Sequence, residues 1–110
     1  GPAYYFAFME AMIDAATDMG LTRDSARQLV LQTALGAARM AVESGDDPAT
    51  LREKVTSKGG TTAEALAYFN NADLAATVAG AMQAAADRAS VLAQELAEQA
   101  VDTHNSDDDR

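Results

Sequence analysis

Glycines and hydroxyls gather in one segment of this chain, Val55-Thr56-Ser57-Lys58-Gly59-Gly60-Thr61-Thr62. The chemistry it suits is anion binding. Gly59 and Gly60 carry no Cβ, so the backbone there can reach positive φ and let a ligand approach closely. Thr61-Thr62-Ala63-Glu64 spells T-x-x-E ahead of apolar residues, which predicts a helix with Thr61 as N-cap and Thr62 at its first position. A helix start presents unpaired N–H groups and the positive end of the helix dipole. Arg52, Lys54 and Lys58 add three cations nearby, and a small carboxylate is the guest this combination fits. The same residues would also serve as a plain glycine turn and cap between two helices.

Other chemistries lose their residues. There is no cysteine, and the one histidine, His104, falls in a polar tail, so neither a Ser-His-Asp nor a Cys-His arrangement can be built. Glu10, Asp14 and Asp18 share a helical face at four-residue spacing, as an acid/base pair or metal ligands would, but without a histidine they read as a solvated stripe. Asp46 and Asp47 are explained by turn and cap duties. No G-x-G-x-x-G and no G-x-x-x-x-G-K-[ST] occurs, so no nucleotide-binding loop is present in these 110 residues.

The elements that must position the glycine segment are all helical. Tyr5, Phe8, Met9, Met12, Ala16 and Met19 recur at three and four residues, which predicts a helix over residues 2–19 closed by a left-handed Gly20. Thr22 caps a second helix that runs to about Ser44, with Asp24 in its first turn. It is apolar on two sides, Ala26, Leu29, Val30, Ala37, Met40 and Ala41 on one and Leu31, Leu35, Ala38 and Val42 on the other, so burial on both sides is expected. Asp47 and Pro48 start a short third helix carrying Leu51 and Val55. A fourth, over residues 63–69, turns Leu66 and Phe69 inward. Asp73 is expected to cap the last and longest, over residues 74–100, whose stripe is Leu74, Val78, Ala81, Ala85, Ala89, Leu92 and Leu96. From Asp102 onward periodicity ends in a polar, acidic tail with the composition of a disordered segment.

Composition points to a partner. Of 110 residues 26 are alanine, which leaves a thin set of larger apolar side chains for a core. Either the helices pack very closely or another chain completes the core. The formal net charge of -9 gives no electrostatic footprint for nucleic acid or an anionic membrane. No apolar run is long enough to span a bilayer, no leader pattern is seen, and the lack of cysteine fits a cytoplasmic setting.

Several short motifs occur in order along the chain: G-P-A-Y at residues 1–4, E-A-M at 10–12, G-L-x-R-x-x-A at 20–26, Q-T-x-L-G-A-A at 32–38, E-S-G at 43–45 and V-T-S-x-G-G-T-T at 55–62. In that order and spacing they closely resemble the C-terminal domain of pyrroline-5-carboxylate reductase, over about residues 1–96. The resemblance implies an all-α fold of about five helices, two of them long, interlocked in a homodimer that can assemble further into rings. It implies one helical dimerisation and substrate-binding domain over residues 1–100, an acidic tail over 101–110, and an N-terminal Rossmann domain absent from this chain.

It also implies a reaction: hydride transfer from NADPH or NADH to the cyclic imine of pyrroline-5-carboxylate, giving proline. By the resemblance, the substrate carboxylate is held by Ser57, Gly59, Gly60, Thr61 and Thr62, the Thr62 hydroxyl lies by the ring nitrogen as the catalytic group, and Val55 lines the pocket. No cofactor-binding residue and no metal ligand is expected in this chain, and the fragment alone is expected to be inactive. Gly1-Pro2 would then be native. The chain departs from the family at Lys58, where proline is common. The alternative is a stand-alone helical interaction module that kept the fold without the reaction, and sequence upstream of Gly1 would separate the two. The helical domain of a related hydroxyacid dehydrogenase would lack the V-T-S-x-G-G-T-T segment.

Overall fold

The computed structural model describes the backbone of residues 1–108 and the side chains of residues 1–101. Five helices follow one another among the described residues: α1 (Pro2–Asp18), α2 (Arg23–Ser44), α3 (Pro48–Lys54), α4 (Thr61–Asn71) and α5 (Leu74–Asp108). No strand occurs among the described residues. The fold is all-α, with two long helices, as expected. The chain divides into two compact units, Gly1–Thr56 and Ser57–Arg110.

In the first unit, α1 and α2 pack as a hairpin around Ala26 and Val30, the only buried apolar residues among those described. Local sequence fixes the hairpin's turn. Gly20 takes φ +114. That lets the Leu21 N–H reach the Ala16 carbonyl at 3.1 Å and the Gly20 N–H the Thr17 carbonyl at 3.0 Å, the paired bonds of a Schellman cap. Thr22 then opens α2, its hydroxyl accepting from the Ser25 N–H at 3.2 Å. Arg23 reaches back across the turn to Asp14 at 3.1 Å, so one member of the acidic stripe on α1 is an exposed ion-pair partner.

The first predicted face of α2 is covered only in part, with Leu29 and Met40 58% and 48% exposed, and on the second Leu31 is half-buried. Ala26 and Val30 are buried against α1, whereas Leu35 and Val42, on the face predicted to be buried as well, are 51% and 83% exposed. Gly45, left-handed at φ +75, ends α2. Asp47 is the N-cap of α3 with Pro48 at its start, although the Asp47 side chain makes no cap hydrogen bond.

In the second unit, α4 packs on α5 with Leu66 and Phe69 half-buried. No residue of this unit is buried among those described, and every described side chain of α5 is exposed. Asp73 lies at the junction with φ +59, in the left-handed region, and its side chain makes no hydrogen bond among the described residues. It stands directly before α5, its carbonyl accepting from the Thr77 N–H at 3.0 Å, so it caps the helix by position and not through its side chain. The helix α5 also continues to Asp108, eight residues past its expected end. The acidic tail thus carries helical backbone to that point, while its side chains from 102 on, His104 included, and residues 109 and 110 lie outside the described residues.

Candidate functional site

The glycine segment falls across the division of the chain, with Val55 in the first unit and Ser57, Gly59, Gly60, Thr61 and Thr62 in the second. Val55 is the C-cap of α3, its N–H donating to the Leu51 carbonyl at 3.1 Å. With Leu51 and Pro48 it lines an open apolar groove of about 250 Å³ against Ala37, Met40 and Ala41 of α2. Thr56 closes this end of the unit, its hydroxyl donating to the Arg52 carbonyl.

Residues 57–60 form a turn closed by the Gly60 N–H donating to the Ser57 carbonyl at 3.1 Å. Gly59 has φ +74, and Lys58 is absent from the residues with positive φ. Negative φ at the second position and positive φ at the third match a type II turn, which favours glycine where Gly59 stands. Gly60 is then extended, at φ -87 and ψ -179, and is itself the N-cap of α4.

This corrects the predicted start of the helix. Thr61 is not the N-cap but the first helical residue, Thr62 is the second, and no side-chain cap hydrogen bond forms. The physical reason lies in the turn. Its closing bond sets the direction of Gly60, whose carbonyl accepts from the Glu64 N–H at 3.2 Å, so the helix begins one residue earlier than T-x-x-E suggests. Glu64 remains in the first turn without a capping box to complete.

The consequence for binding is favourable. With Gly60 N–H already used, the N–H groups of Thr61, Thr62 and Ala63 have no partner among the described residues. They point out of the helix start together with its dipole, and an anion placed there would satisfy them. No threonine side chain folds back to cap them, so both hydroxyls are left for a ligand. Of the three cations expected nearby, Lys54 is paired with Asp46 at 2.8 Å. Arg52 and Lys58 make no ion pair among the described residues.

Sequence reasoning singled out this segment but missed two features of its backbone. One is the type II turn, which a glycine at its third position could have signalled. The other is that Gly60, and not a threonine, does the capping. No group of histidine, cysteine, aspartate and glutamate side chains could hold a metal among the described residues. No helix is long and apolar enough to cross a membrane among them.

Comparison with known proteins gives the family. The family described as pyrroline-5-carboxylate reductase dimerisation matches residues 1–92. The pyrroline-5-carboxylate reductase of Pseudomonas aeruginosa is 49% identical over 96 residues, covering 87% of this chain and 35% of that protein. That of Vibrio alginolyticus is 58% identical over 89 residues, covering 80% and 33%. Among solved structures, a pyrroline-5-carboxylate reductase from Coxiella burnetii superimposes with a TM-score of 0.77 at 45% identity, over 80% of this chain and 33% of that one. The Plasmodium falciparum pyrroline carboxylate reductase with NADP bound gives 0.77 at 36% identity, over 80% and 35%. The chain spans about a third of the length of the relatives it matches. Both the sequence matches and the helical architecture lead to one assignment: the chain belongs to the pyrroline-5-carboxylate reductase dimerisation family.

Proposed function

We propose that this chain is the substrate-binding and dimerisation part of a reductase that transfers hydride from NADPH or NADH to 1-pyrroline-5-carboxylate, forming proline. The observation that carries the reading is the start of α4, where three unpartnered N–H groups follow a glycine turn within the family's matched region. The substrate is a small carboxylate with a ring nitrogen, and the site offers it both an anion hold and a hydroxyl.

In this reading the carboxylate sits on the N–H groups of Thr61, Thr62 and Ala63, with Gly59 and Gly60 leaving the approach open. Ser57 bounds the turn from its other end. Thr62 Oγ1 accepts a hydrogen bond from the protonated imine nitrogen and holds the ring for attack at its carbon. A protonated imine is already electrophilic, so the protein's part is to position and polarise. The nicotinamide supplies the hydride. The residues of this chain offer no phosphate-binding turn for it, so its site belongs to the part of the relatives' length that this chain does not span. A homodimer and a cytoplasmic setting complete the proposal.

A chimera tests it directly. This chain replaces the matching segment of the Vibrio alginolyticus reductase, and reduction of pyrroline-5-carboxylate is followed by NADPH consumption. Activity is expected, and Thr62→Ala should lower kcat by more than about tenfold, the loss of one transition-state hydrogen bond. A folded chimera without activity would overturn the assignment. Unchanged turnover in the variant would remove Thr62 from the mechanism.

A further inference from the structure

One charge stands apart in the turn before α4. From Val55 to Asp87 the sequence has a single cation, Lys58. It occupies the second position of the turn over residues 57–60, where proline is the favoured residue. Its side chain is exposed and makes no hydrogen bond or ion pair among the described residues. A lysine without a structural partner, at a place suited to proline, supplies only its charge and its reach.

That charge has a task in this setting. The chain is acidic, with a formal net charge of -9, and Glu64 lies in the first turn of α4 without an ion-pair partner among the described residues. A carboxylate approaching the N–H groups of Thr61, Thr62 and Ala63 is drawn by the helix dipole and repelled by Glu64. A type II turn brings its end residues, here Ser57 and Gly60, within about 7 Å of each other. The Lys58 ammonium rides on a flexible four-carbon stem from inside that turn, three positions before Thr61. A guest at the start of α4 is therefore within its reach, and its charge offsets that of Glu64.

We propose that Lys58 sets the affinity of this site for an anionic substrate. Its ammonium attracts the carboxylate of the ring imine, while the N–H groups of Thr61, Thr62 and Ala63 fix where that carboxylate lies. The proposal rests on the reading of residues 57–62 as the carboxylate hold, and adds to it a residue that selects by charge.

The test uses the Vibrio alginolyticus reductase carrying this chain, with steady-state kinetics on pyrroline-5-carboxylate at about 50 mM and about 1 M salt. At the lower salt Lys58→Gln should raise KM about three- to tenfold, the scale of one exposed charge interaction, while kcat moves by less than about twofold. Lys58→Arg, which keeps the charge, should hold KM within about twofold of the lysine form. At the higher salt, where the Debye length is about 3 Å, the lysine and glutamine forms should converge. Lys58→Pro should raise KM as glutamine does although the turn favours proline, so affinity and stability move in opposite directions.

Equal KM in the lysine and glutamine forms at low salt would overturn the proposal. So would a glutamine effect that survives high salt, or one that arginine does not rescue, since charge would then not be its cause. In each of these cases the chimera is active and the carboxylate reading stands. A folded chimera that reduces no pyrroline-5-carboxylate overturns that reading, and the role of Lys58 falls with it.

Discussion

The Gly60 N–H donates to the Ser57 carbonyl oxygen at 3.1 Å, and this one bond sets where α4 begins. It uses the amide of the capping residue, leaves the next three amides open, and makes the flanking glycines unequal.

Gly59 and Gly60 should respond differently to a methyl group. Gly59 stands at φ +74, where an L side chain is strained, so Gly59→Ala should cost about 1–2 kcal/mol. At Gly60, with φ -87, an added Cβ would lie 3.4 Å from the Ser57 Cβ and carbonyl oxygen, which is ordinary contact. Gly60→Ala should change stability by less than about 0.5 kcal/mol. Urea unfolding of the two variants measures the contrast, and equal costs would contradict the turn assignment.

Lys58 occupies the second position of a type II turn, where proline is favoured. Its N–H donates no hydrogen bond among the described residues, so proline would forfeit none. Lys58→Pro should stabilise the chain by about 0.4–1 kcal/mol by restricting the unfolded state. A fall in the denaturation midpoint would mean that the backbone at residue 58 cannot take proline's φ.

Thr61 gives a test of the capping frame. As an N-cap it would cost about 1 kcal/mol to replace with alanine. As the first helical residue, its side chain unbonded, Thr61→Ala should move stability by less than about 0.5 kcal/mol. Thermal unfolding decides between the two frames.

Two valines on α2 differ in burial. Val30 is buried, and Val30→Ala should cost about 2 kcal/mol through lost burial and a small cavity. Val42 is exposed in the lone chain, and Val42→Ala should change a monomer's stability by less than about 0.5 kcal/mol. Should Val42→Ala weaken the dimer while sparing the monomer, that face of α2 meets the second copy.

Signals that act within one or two turns were legible in the residues alone. Gly20 and Thr22 bracket the first connection, Gly45 ends α2, and Asp47-Pro48 opens α3, each where its residue type requires it. A positive φ favours glycine and a helix start tolerates proline, and neither depends on distant neighbours. The glycine segment was legible for the same reason, as a place where the backbone bends and a helix begins.

What local chemistry left open was settled by packing and by contacts between elements. T-x-x-E allows a cap at Thr61, but the bond across the Ser57 turn moved the cap to Gly60. Periodicity made α2 apolar on two sides without telling which one α1 would take, and the hairpin chose Ala26 and Val30. It marked α5 as a stripe but not as a helix whose described side chains are all exposed. Periodicity records which residues share a face, whereas burial depends on what arrives from elsewhere in the chain or from another copy.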